Sequence, residues 1–339
     1  VLFSPEESKR APLAMLRGLR ALCELAQADS VEVTTVDNGF FANWLQALDA
    51  RLFSKSTARV VPNWRLTGEE REFNYGQPGD DVFAGLFEPT GQDLQAETAH
   101  QEPFVVRSRQ NLLLVNVFRG RFLQGKRASS RRRLYNEAAQ ELLRPRQDLV
   151  DLRDQILERA KRERANGAPL IGVHKRVDNP GTARMQMAQY MPSTEAFVAA
   201  VRKLAKARAS SEALADQAIV VLATDDEAAV DIFRAEFGHR LVVREDVKRT
   251  KGGIHPDTKL PIEVHGQSGD RLSLQDAKDC LLDAMLIASC DAFVHVDSNV
   301  TIAAGIMNPE SEAIHVRDLV PNAAMASEWV GYRRCQLPI

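Results

Sequence analysis

The chain has 339 residues, of which 44% are hydrophobic and 27% are charged, and its formal net charge is -2. This length suits one large domain or two smaller ones, and the hydrophobic fraction is sufficient for a buried core. Because the charge is near neutral, the overall composition gives no reason to expect binding to nucleic acid or to an anionic membrane, and nucleic acid is not expected as a partner.

The sequence offers no sign of a membrane span or of a metal centre. No segment approaches the roughly 18 apolar residues of a spanning helix, and the first residues resemble neither a signal peptide nor an anchor. The cysteines have no ligand-like spacing, so we predict no structural zinc site. The apolar surroundings of Cys280 and Cys290 favour reduced core thiols and a reducing compartment.

The first part of the chain is predicted to contain a helix over 7–28, a strand over 31–36 and then a second helix. Asn38 and Gly39 precede that second helix, whose Phe41, Trp44 and Leu48 recur at helical spacing. Exposed N–H groups at this turn would suit an anion or a nucleotide. An ordinary strand-to-helix connection is the alternative.

The region that follows is predicted to be less regular. We expect a strand over 58–64, then loops over 66–103 that pack through their aromatic side chains. Basic residues concentrate up to the run RASSRRR at 127–133, for which a solvated helix start is the first interpretation and a phosphate or acceptor contact the second. A helical pattern over 134–164 is broken at Pro145, which predicts a domain junction.

The second half of the chain alternates between strand and helix patterns. This alternation predicts a parallel sheet with helices on both faces. A polar insertion at 247–272 interrupts it, and such loops often carry function. The strands are predicted at 169–174, 218–223, 240–244 and 291–296, and the helices at 193–208, 225–237, 273–288 and 299–306.

The first of these strands ends in three charged or polar residues, His174, Lys175 and Arg176. The carboxyl ends of parallel strands face the ligand crevice, so the cations suggest an anionic ligand. Strand alternation places His174 and Arg176 on one side and Lys175 on the other, so we predict that Lys175 matters little. Arg176 would grip a phosphate through its planar fork, although a satisfied surface pair is the alternative.

Two aspartates, Asp225 and Asp226, directly follow the strand sequence AIVVLAT. One of them would cap the next helix, and the other would accept hydrogen bonds from a base edge such as guanine N1–H and N2–H. A plain helix cap is the alternative. The sequence contains neither a P-loop nor a GxGxxG motif, which disfavours phosphoryl transfer and dinucleotide redox chemistry.

Asp297 and Ser298 follow the last predicted strand and precede a helix predicted to start with Asn299 and Val300. The N–H groups of the residues from Ser298 to Val300 would form the positive start of the helix dipole. An N-cap without a ligand is the alternative, but the pairing with Arg176 suits a diphosphate.

Several of these motifs resemble, in their order and spacing, the α-1,6-fucosyltransferase family that includes the nodulation fucosyltransferases. The similarity covers about residues 134–309, and the first 130 residues join it only through NGFFANW and the FEP at 87–89. The motifs are IGVHKR, the following Tyr190-Met191, VVLATDDEAAV, LLRPRQDLVDLRDQI and SLQDAKDCLLDAMLIASCDAFVHVDSNVTIAAGIMNP.

The resemblance implies an α/β, GT-B-like fold of two Rossmann-like lobes with parallel sheets. It also implies an inverting transfer of fucose from GDP-fucose to a glycan or glycoconjugate acceptor, with no metal or other cofactor required. The domains are then an acceptor-side lobe over 1–140, a connecting helix over 141–168, a nucleotide-sugar lobe over 169–320 and a tail over 321–339. The expected location is cytoplasmic, including peripheral attachment to a membrane, or the Golgi lumen for the trimmed part of an anchored eukaryotic protein.

The resemblance also implies roles for individual residues. Arg176 resembles the family arginine that holds the diphosphate, and His174 and one of the two aspartates Asp225 and Asp226 resemble guanosine contacts. Residues 298–300 resemble the phosphate-binding turn of the family.

The chain departs from the family pattern at one place. Where the family has an acidic residue after a glycine-threonine pair, Gly181-Thr182 is followed by Ala183 and Arg184. An inverting transfer needs a base near the acceptor hydroxyl, and Asp178 is the nearest substitute, ahead of the loop histidines at 255 and 265. A changed acceptor, a changed sugar or catalysis through leaving-group stabilisation would accommodate the loss, as would a non-catalytic sugar-nucleotide or glycan-binding protein on the same fold.

Overall fold

The computed structural model describes residues 23–34, 39–66, 75–89, 104–106, 128–176, 192–250, 272–296 and 298–320. Within these residues the chain forms two separate parallel sheets with helices packed against them. The predicted α/β class with two parallel sheets is therefore confirmed.

The smaller sheet is built by the first part of the chain. Its described strands are parallel and lie in the order β2-β1-β3. They are β1 (Ser30–Thr34), β2 (Arg59–Asn63) and β3 (Phe104–Val106), and the helices α1 (Phe40–Phe53) and α2 (Val82–Leu86) accompany them. The strands predicted at 31–36 and 58–64 are confirmed, whereas α2 lies in a region predicted as loops and β3 was not predicted.

The aromatic side chains around α2 explain how this irregular region is held. Trp64 is fully buried, and its ring lies edge-on to Phe40 at 6.1 Å, to Phe83 at 6.0 Å and to Phe87 at 5.7 Å between centroids. Such edge-to-face pairs stabilise beyond the area that they bury. The segment therefore packs on the core, as its aromatic content predicted.

The larger sheet is built by the second half of the chain. Its described strands are all parallel and lie in the order β6-β5-β4-β7-β8. They are β4 (Leu170–Lys175), β5 (Ile219–Thr224), β6 (Leu241–Val243), β7 (Ala292–His295) and β8 (Glu312–His315). The first four follow the predicted boundaries within a few residues, whereas β8 was not predicted.

The helices of this half cover both faces of the sheet, as predicted. The helices are α3 (Ala128–Leu142), α4 (Gln147–Glu163), α5 (Thr194–Arg208), α6 (Glu212–Ala215), α7 (Glu227–Phe237), α8 (Leu274–Ala288), α9 (Asn299–Met307) and α10 (Val316–Leu319). On one face of the sheet α5 packs against β4 and α7 against β5, and on the other face α8 packs against both strands. The break that Pro145 predicted falls between α3 and α4.

Local sequence explains why these helices begin where they do. Ser193 and Asp226 cap α5 and α7 with their side chains, and Ser273 and Ser298 form capping boxes at the starts of α8 and α9. A capping side chain satisfies N–H groups that have no partner within the helix. The starts of these helices are therefore fixed by residues next to them in sequence.

Gly172 allows α8 to lie close over the centre of the sheet. A Cβ at this position would lie 3.1 Å from Cβ of Phe293, 3.2 Å from Ile287 and 3.3 Å from Sγ of Cys290. These contacts are tighter than ordinary van der Waals packing, so a larger residue would push α8 away from β4. Cys290 is buried, which agrees with its predicted role as a core thiol.

Two arginines of the basic run at 127–133, Arg132 and Arg133, contact the segment that follows α9. Nη1 of Arg132, which is buried, donates to the carbonyl oxygen of Ser311 at 3.0 Å, and Arg133 pairs with Glu310 at 2.8 Å. The first interpretation of the run, a solvated helix start, is wrong for Arg132, because its guanidinium reaches a backbone carbonyl beyond α9.

Helices α8 and α9 also pack against the first part of the chain. They contact α1, α2 and α3, and a buried apolar cluster extends from β1 through these helices to β7. None of the helices in the described ranges combines the length and the apolar character that a membrane crossing requires.

A buried acid joins α1 to α3. The Tyr135 hydroxyl donates to Oδ1 of Asp49 at 2.7 Å, and Oδ2 of Asp49 has no hydrogen-bond partner among the described residues. Burial raises the pKa of Asp49 from 3.8 to about 7, against the smaller opposite effect of the Tyr135 hydrogen bond. The folded protein therefore retains a proton on Asp49 that the unfolded chain loses near pH 4.

We expect Asp49→Asn to remove a pH dependence of stability. Because the folded pKa is raised, the contribution of Asp49 is fully present below about pH 4 and is lost as the pH rises towards 7. We compare the free energy of unfolding of the wild type with that of the variant. The difference, wild type minus variant, should fall by up to about 1.4 kcal/mol per pH unit between about pH 4 and pH 7. Urea unfolding of both proteins between pH 4.5 and 7.5 measures this difference, in which other titrating groups cancel. A difference that stays flat or grows with pH would contradict the assignment.

Candidate functional site

The carboxyl ends of β4, β5 and β7 meet at one edge of the larger sheet, as predicted. From β4 the chain proceeds to β5 and β6 on one side, and then returns to place β7 and β8 on the other. The order of the strands therefore reverses between β4 and β7. In open α/β sheets, ligands bind outside the carboxyl ends of the strands at such a switch point.

A hydrogen bond bridges this switch point. Nδ1 of His174, the next-to-last residue of β4, lies 3.4 Å from Oγ of Ser298, the N-cap of α9. Burial, and then the positive charge of Arg176, lower the pKa of His174 to about 3, so its imidazole is neutral near pH 7. A neutral imidazole has one N–H donor and one acceptor nitrogen. His174 is thus equipped for a specific hydrogen bond rather than for binding an anion by charge.

The start of α9 lies beside this bridge. The N–H and Oγ of Ser298 exchange hydrogen bonds with the side chain and backbone of Thr301, which fixes the first turn. Asn299 and Val300 are the first residues of the helix, and both are partly exposed. Their N–H groups carry the positive end of the helix dipole, which favours an anion.

Arg176 and Asp225 face each other across the ends of β4 and β5. Nε of Arg176 lies 3.8 Å from Oδ2 of Asp225, and their side chains are 44% and 26% exposed. At this exposure the ion pair stabilises the fold little, because solvent screens it. Both side chains are therefore partly exposed at the ends of their strands rather than buried in the core.

Asp226 is the aspartate that caps the helix. Its Oδ1 accepts the N–H of Ala228 at 3.1 Å, and its Oδ2 lies 3.2 Å from Nζ of Lys175. Both carboxylate oxygens of Asp226 are thus engaged within the protein. Of the two predicted base contacts, Asp225 is the one whose carboxylate lies at the crevice.

That Lys175 affects turnover far less than Arg176 stays a prediction, but this contact gives Lys175 a structural role that the sequence did not reveal. Alternation does turn its side chain away from His174, but the side chain is only 1% exposed and pairs with the buried carboxylate of Asp226. Removing one partner of a buried ion pair leaves an uncompensated charge, which is strongly destabilising.

The segment 244–250 braces the turn that carries Asp225, a contact that the sequence did not reveal. Both the N–H and the Oγ1 of Thr250 donate to the carbonyl oxygen of Asp225 at 2.8 Å, and the N–H of Glu227 donates to Thr250 at 3.0 Å. The only sequence signal was the polar insertion at 247–272, of which residues 251–271 lie outside the described ranges.

A buried arginine fixes that segment in turn. Arg244 follows β6, and its guanidinium donates to Oδ1 of Asp279 on α8 at 2.6 Å. The guanidinium of Arg249 donates to the carbonyl oxygen of Arg244. The backbone that reaches Thr250 is therefore tied to α8.

The first part of the chain approaches the site through Tyr75. Its ring lies edge-on to Phe40, the first residue of α1, at 6.2 Å between centroids. Burial and then Cys280 raise the pKa of Tyr75 well above its ordinary value, while the charge of Arg176 acts in the opposite direction. The Tyr75 hydroxyl lies 4.0 Å from Sγ of Cys280 on α8, and Gly39, the N-cap of α1, is next to Phe40.

Some predicted contacts lie outside the described residues. They are Asn38, Asp178 and Asp297, with the segment 181–184 and the loop histidines at 255 and 265. The residues that the structure does describe contain no group of three or more histidine, cysteine, aspartate or glutamate side chains arranged to hold a metal ion.

Comparisons with known proteins find similarity only among solved structures. No family model matches the chain, and no curated protein matches it. The chain is similar to NodZ alpha-1,6-fucosyltransferase co-crystallized with GDP, with 16% identity and a TM-score of 0.49 over 82% of this chain and 92% of that one. For the same enzyme soaked with GDP-fucose, the identity is 16% and the TM-score is 0.43, over 83% of this chain and 92% of that one. For POFUT1 in complex with GDP, the identity is 11% and the TM-score is 0.38, over 85% of this chain and 98% of that one. Identities and TM-scores at this level do not assign the chain to a family.

Proposed function

We propose that the protein is a glycosyltransferase of GT-B-like architecture that takes its sugar from a GDP-sugar, GDP-fucose in the first instance. It transfers the sugar with inversion to a glycan or glycoconjugate acceptor bound on the side of residues 1–140. The observation that supports this most is the convergence of His174, Arg176, Asp225 and the start of α9 at the switch point of the sheet.

The nucleotide would lie along the carboxyl ends of β5, β4 and β7. Asp225 would accept N1–H and N2–H of guanine, because a carboxylate matches two adjacent donors. The diphosphate would lie between the guanidinium of Arg176 and the N–H groups at the start of α9. With Nδ1 facing the Ser298 hydroxyl, His174 would carry its proton on Nε2 and donate to the ligand.

The same groups would promote departure of GDP. Negative charge builds on the diphosphate as the glycosidic bond breaks, and both Arg176 and the helix start are fixed in place before the reaction. These groups would supply the charge that a metal ion provides in other transferases. The acceptor hydroxyl would attack from the opposite side of the sugar, and we propose Asp178, two residues after Arg176, as its base.

A non-catalytic protein that binds a sugar nucleotide or a glycan is the second candidate. It is favoured by the sequence Gly181-Thr182-Ala183-Arg184, which lacks the acid that the resembled family has at this place. The two candidates share the nucleotide site and differ only in turnover.

We expect GDP to stabilise the protein, and ADP and UDP to do so less. A ligand at about 100 times its Kd adds about 2.7 kcal/mol to the free energy of unfolding, which thermal unfolding with each nucleotide detects. Release of GDP from GDP-fucose should proceed in EDTA, with and without glycan acceptors. Stabilisation without release would favour the binding protein, strict dependence on a divalent metal would contradict the metal-free mechanism, and the absence of any GDP effect would overturn the nucleotide site.

A further inference from the structure

Lys175 is a buried cation directly beneath the candidate site. Its side chain is 1% exposed, and Nζ lies 3.2 Å from Oδ2 of Asp226. Nζ also donates to the carbonyl oxygen of Arg176 at 2.9 Å. One ammonium group therefore contacts both the end of β4 and the turn after β5.

One of these contacts holds the carbonyl group of Arg176, and the other holds Asp226, the residue that follows Asp225. The last paired residues of the β4–β5 ladder are Lys175 and Thr224, so Arg176 lies beyond the ladder. The hydrogen bond from Nζ of Lys175 to the Arg176 carbonyl therefore restrains the backbone one residue beyond the last strand pairing. On the other strand, the N–H of Asp226 donates to Oγ1 of Thr224 at 3.1 Å, which orients the turn that carries Asp225.

Stability alone does not account for this pair. Burying an ammonium and a carboxylate carries a desolvation cost of several kcal/mol per ion, and well-packed apolar side chains of similar volume are often as stable or more so. The neighbours Ile171 and Val173, on the same face of β4, are fully buried in such an apolar cluster. Lys175 instead places a charged side chain at the next position on this face of β4, after Ile171 and Val173.

Lys175 does not reach the ligand face of the strand. Alternation directs it to the side of Val173, whereas His174 faces the start of α9. Any effect of Lys175 on ligand binding must therefore pass through the residues that it holds.

We propose that Lys175 is a positioning residue, which holds the backbone of Arg176 and the Asp225 turn so that both side chains are placed to contact the nucleotide. This inference rests on the proposed GDP site. It predicts that the contribution of Arg176 to GDP binding depends on the presence of Lys175.

The test replaces the pair together, as Lys175→Met with Asp226→Asn. Methionine fills the volume of the lysine stem, and the asparagine oxygen still caps α7 through the N–H of Ala228. No unpaired buried charge remains, so thermal stability should stay near that of the wild type. Asp49→Asn with Tyr135→Phe is the matched control, because it removes another buried polar pair away from the strand ends.

We expect the paired replacement to weaken GDP binding, measured by calorimetry, by about five- to tenfold, within the range of coupling between residues in contact. In an Arg176→Ala background it should weaken GDP binding by a smaller factor, because only the part that acts through Asp225 then remains to be lost. The control pair should leave GDP binding within twofold of the wild type.

The positioning role would be overturned if the paired replacement weakened GDP binding by the same factor with and without Arg176. Normal GDP affinity in the folded paired variant would overturn it as well. If the paired variant does not fold, Lys175→Leu with Asp226→Ser replaces it, because this pair also leaves no buried charge and serine keeps a capping oxygen for α7. The same loss of GDP affinity is expected, and normal GDP affinity in this second pair would count against the proposal. A wild-type protein that fails to bind GDP would instead overturn the proposed function.

Discussion

Arg176→Ala should lower the turnover of GDP-fucose by roughly a hundredfold or more, the scale seen when one fixed electrostatic stabiliser is lost. The guanidinium lies at the end of β4, 44% exposed and across from Asp225. If it contacts the departing diphosphate, its interaction strengthens as charge builds there, so the loss should fall mainly on kcat. Arg176→Lys should recover little, because an ammonium group lacks the bidentate fork.

The control is Arg202→Ala, which removes an exposed arginine of α5 that pairs with Glu236. It should leave turnover unchanged, and circular dichroism should show that all variants fold. Near-normal turnover in a folded Arg176→Ala protein would mean that this strand-end cation is a surface charge, and the site assignment would be wrong.

Asp225→Ala should abolish the preference for GDP over ADP. If the carboxylate accepts N1–H and N2–H of guanine, two hydrogen bonds to a charged group are lost, each of about 1.5–3 kcal/mol, so GDP affinity should fall by about a hundredfold or more. ADP lacks this donor pair and should lose far less. A site built to hydrogen-bond one base discriminates strongly against another.

The ion pair with Arg176 gives this variant a second possible effect. If Asp225 acts only by orienting Arg176, the affinities for GDP and ADP will fall by the same factor, and base recognition by Asp225 will be excluded. Asp231→Ala is the control, because Asp231 is an exposed carboxylate on the adjacent helix α7. It should change neither affinity.

The case of Lys175 shows where sequence reasoning succeeds and where it fails. Strand alternation gave the direction of the side chain, because the period of a strand is a local property of the backbone. It gave no information on what lies on the far face. The partner of Lys175, Asp226, is 51 residues away in sequence, and only the packing of β5 beside β4 brings the two together.

The two aspartates after β5 illustrate the same limit. The sequence predicted that one of them caps the next helix and that the other contacts the ligand, but it did not decide which aspartate has which role. Asp226 is the cap because its Oδ1 meets the N–H of Ala228 while its Oδ2 meets a lysine from another strand. The first contact is local and the second is not.

The sequence by itself determined the α/β alternation, the capped starts of several helices, and the polar residues His174, Arg176 and Ser298 at strand ends. Each of these depends on residues within one or two turns of each other, so periodicity and capping rules are sufficient. Only the tertiary structure decided the strand order β6-β5-β4-β7-β8, the burial of Lys175, and the contact of Thr250 with the Asp225 turn. The reason is physical, because strand order and these contacts are set by packing between segments far apart in the chain, which no local pattern encodes.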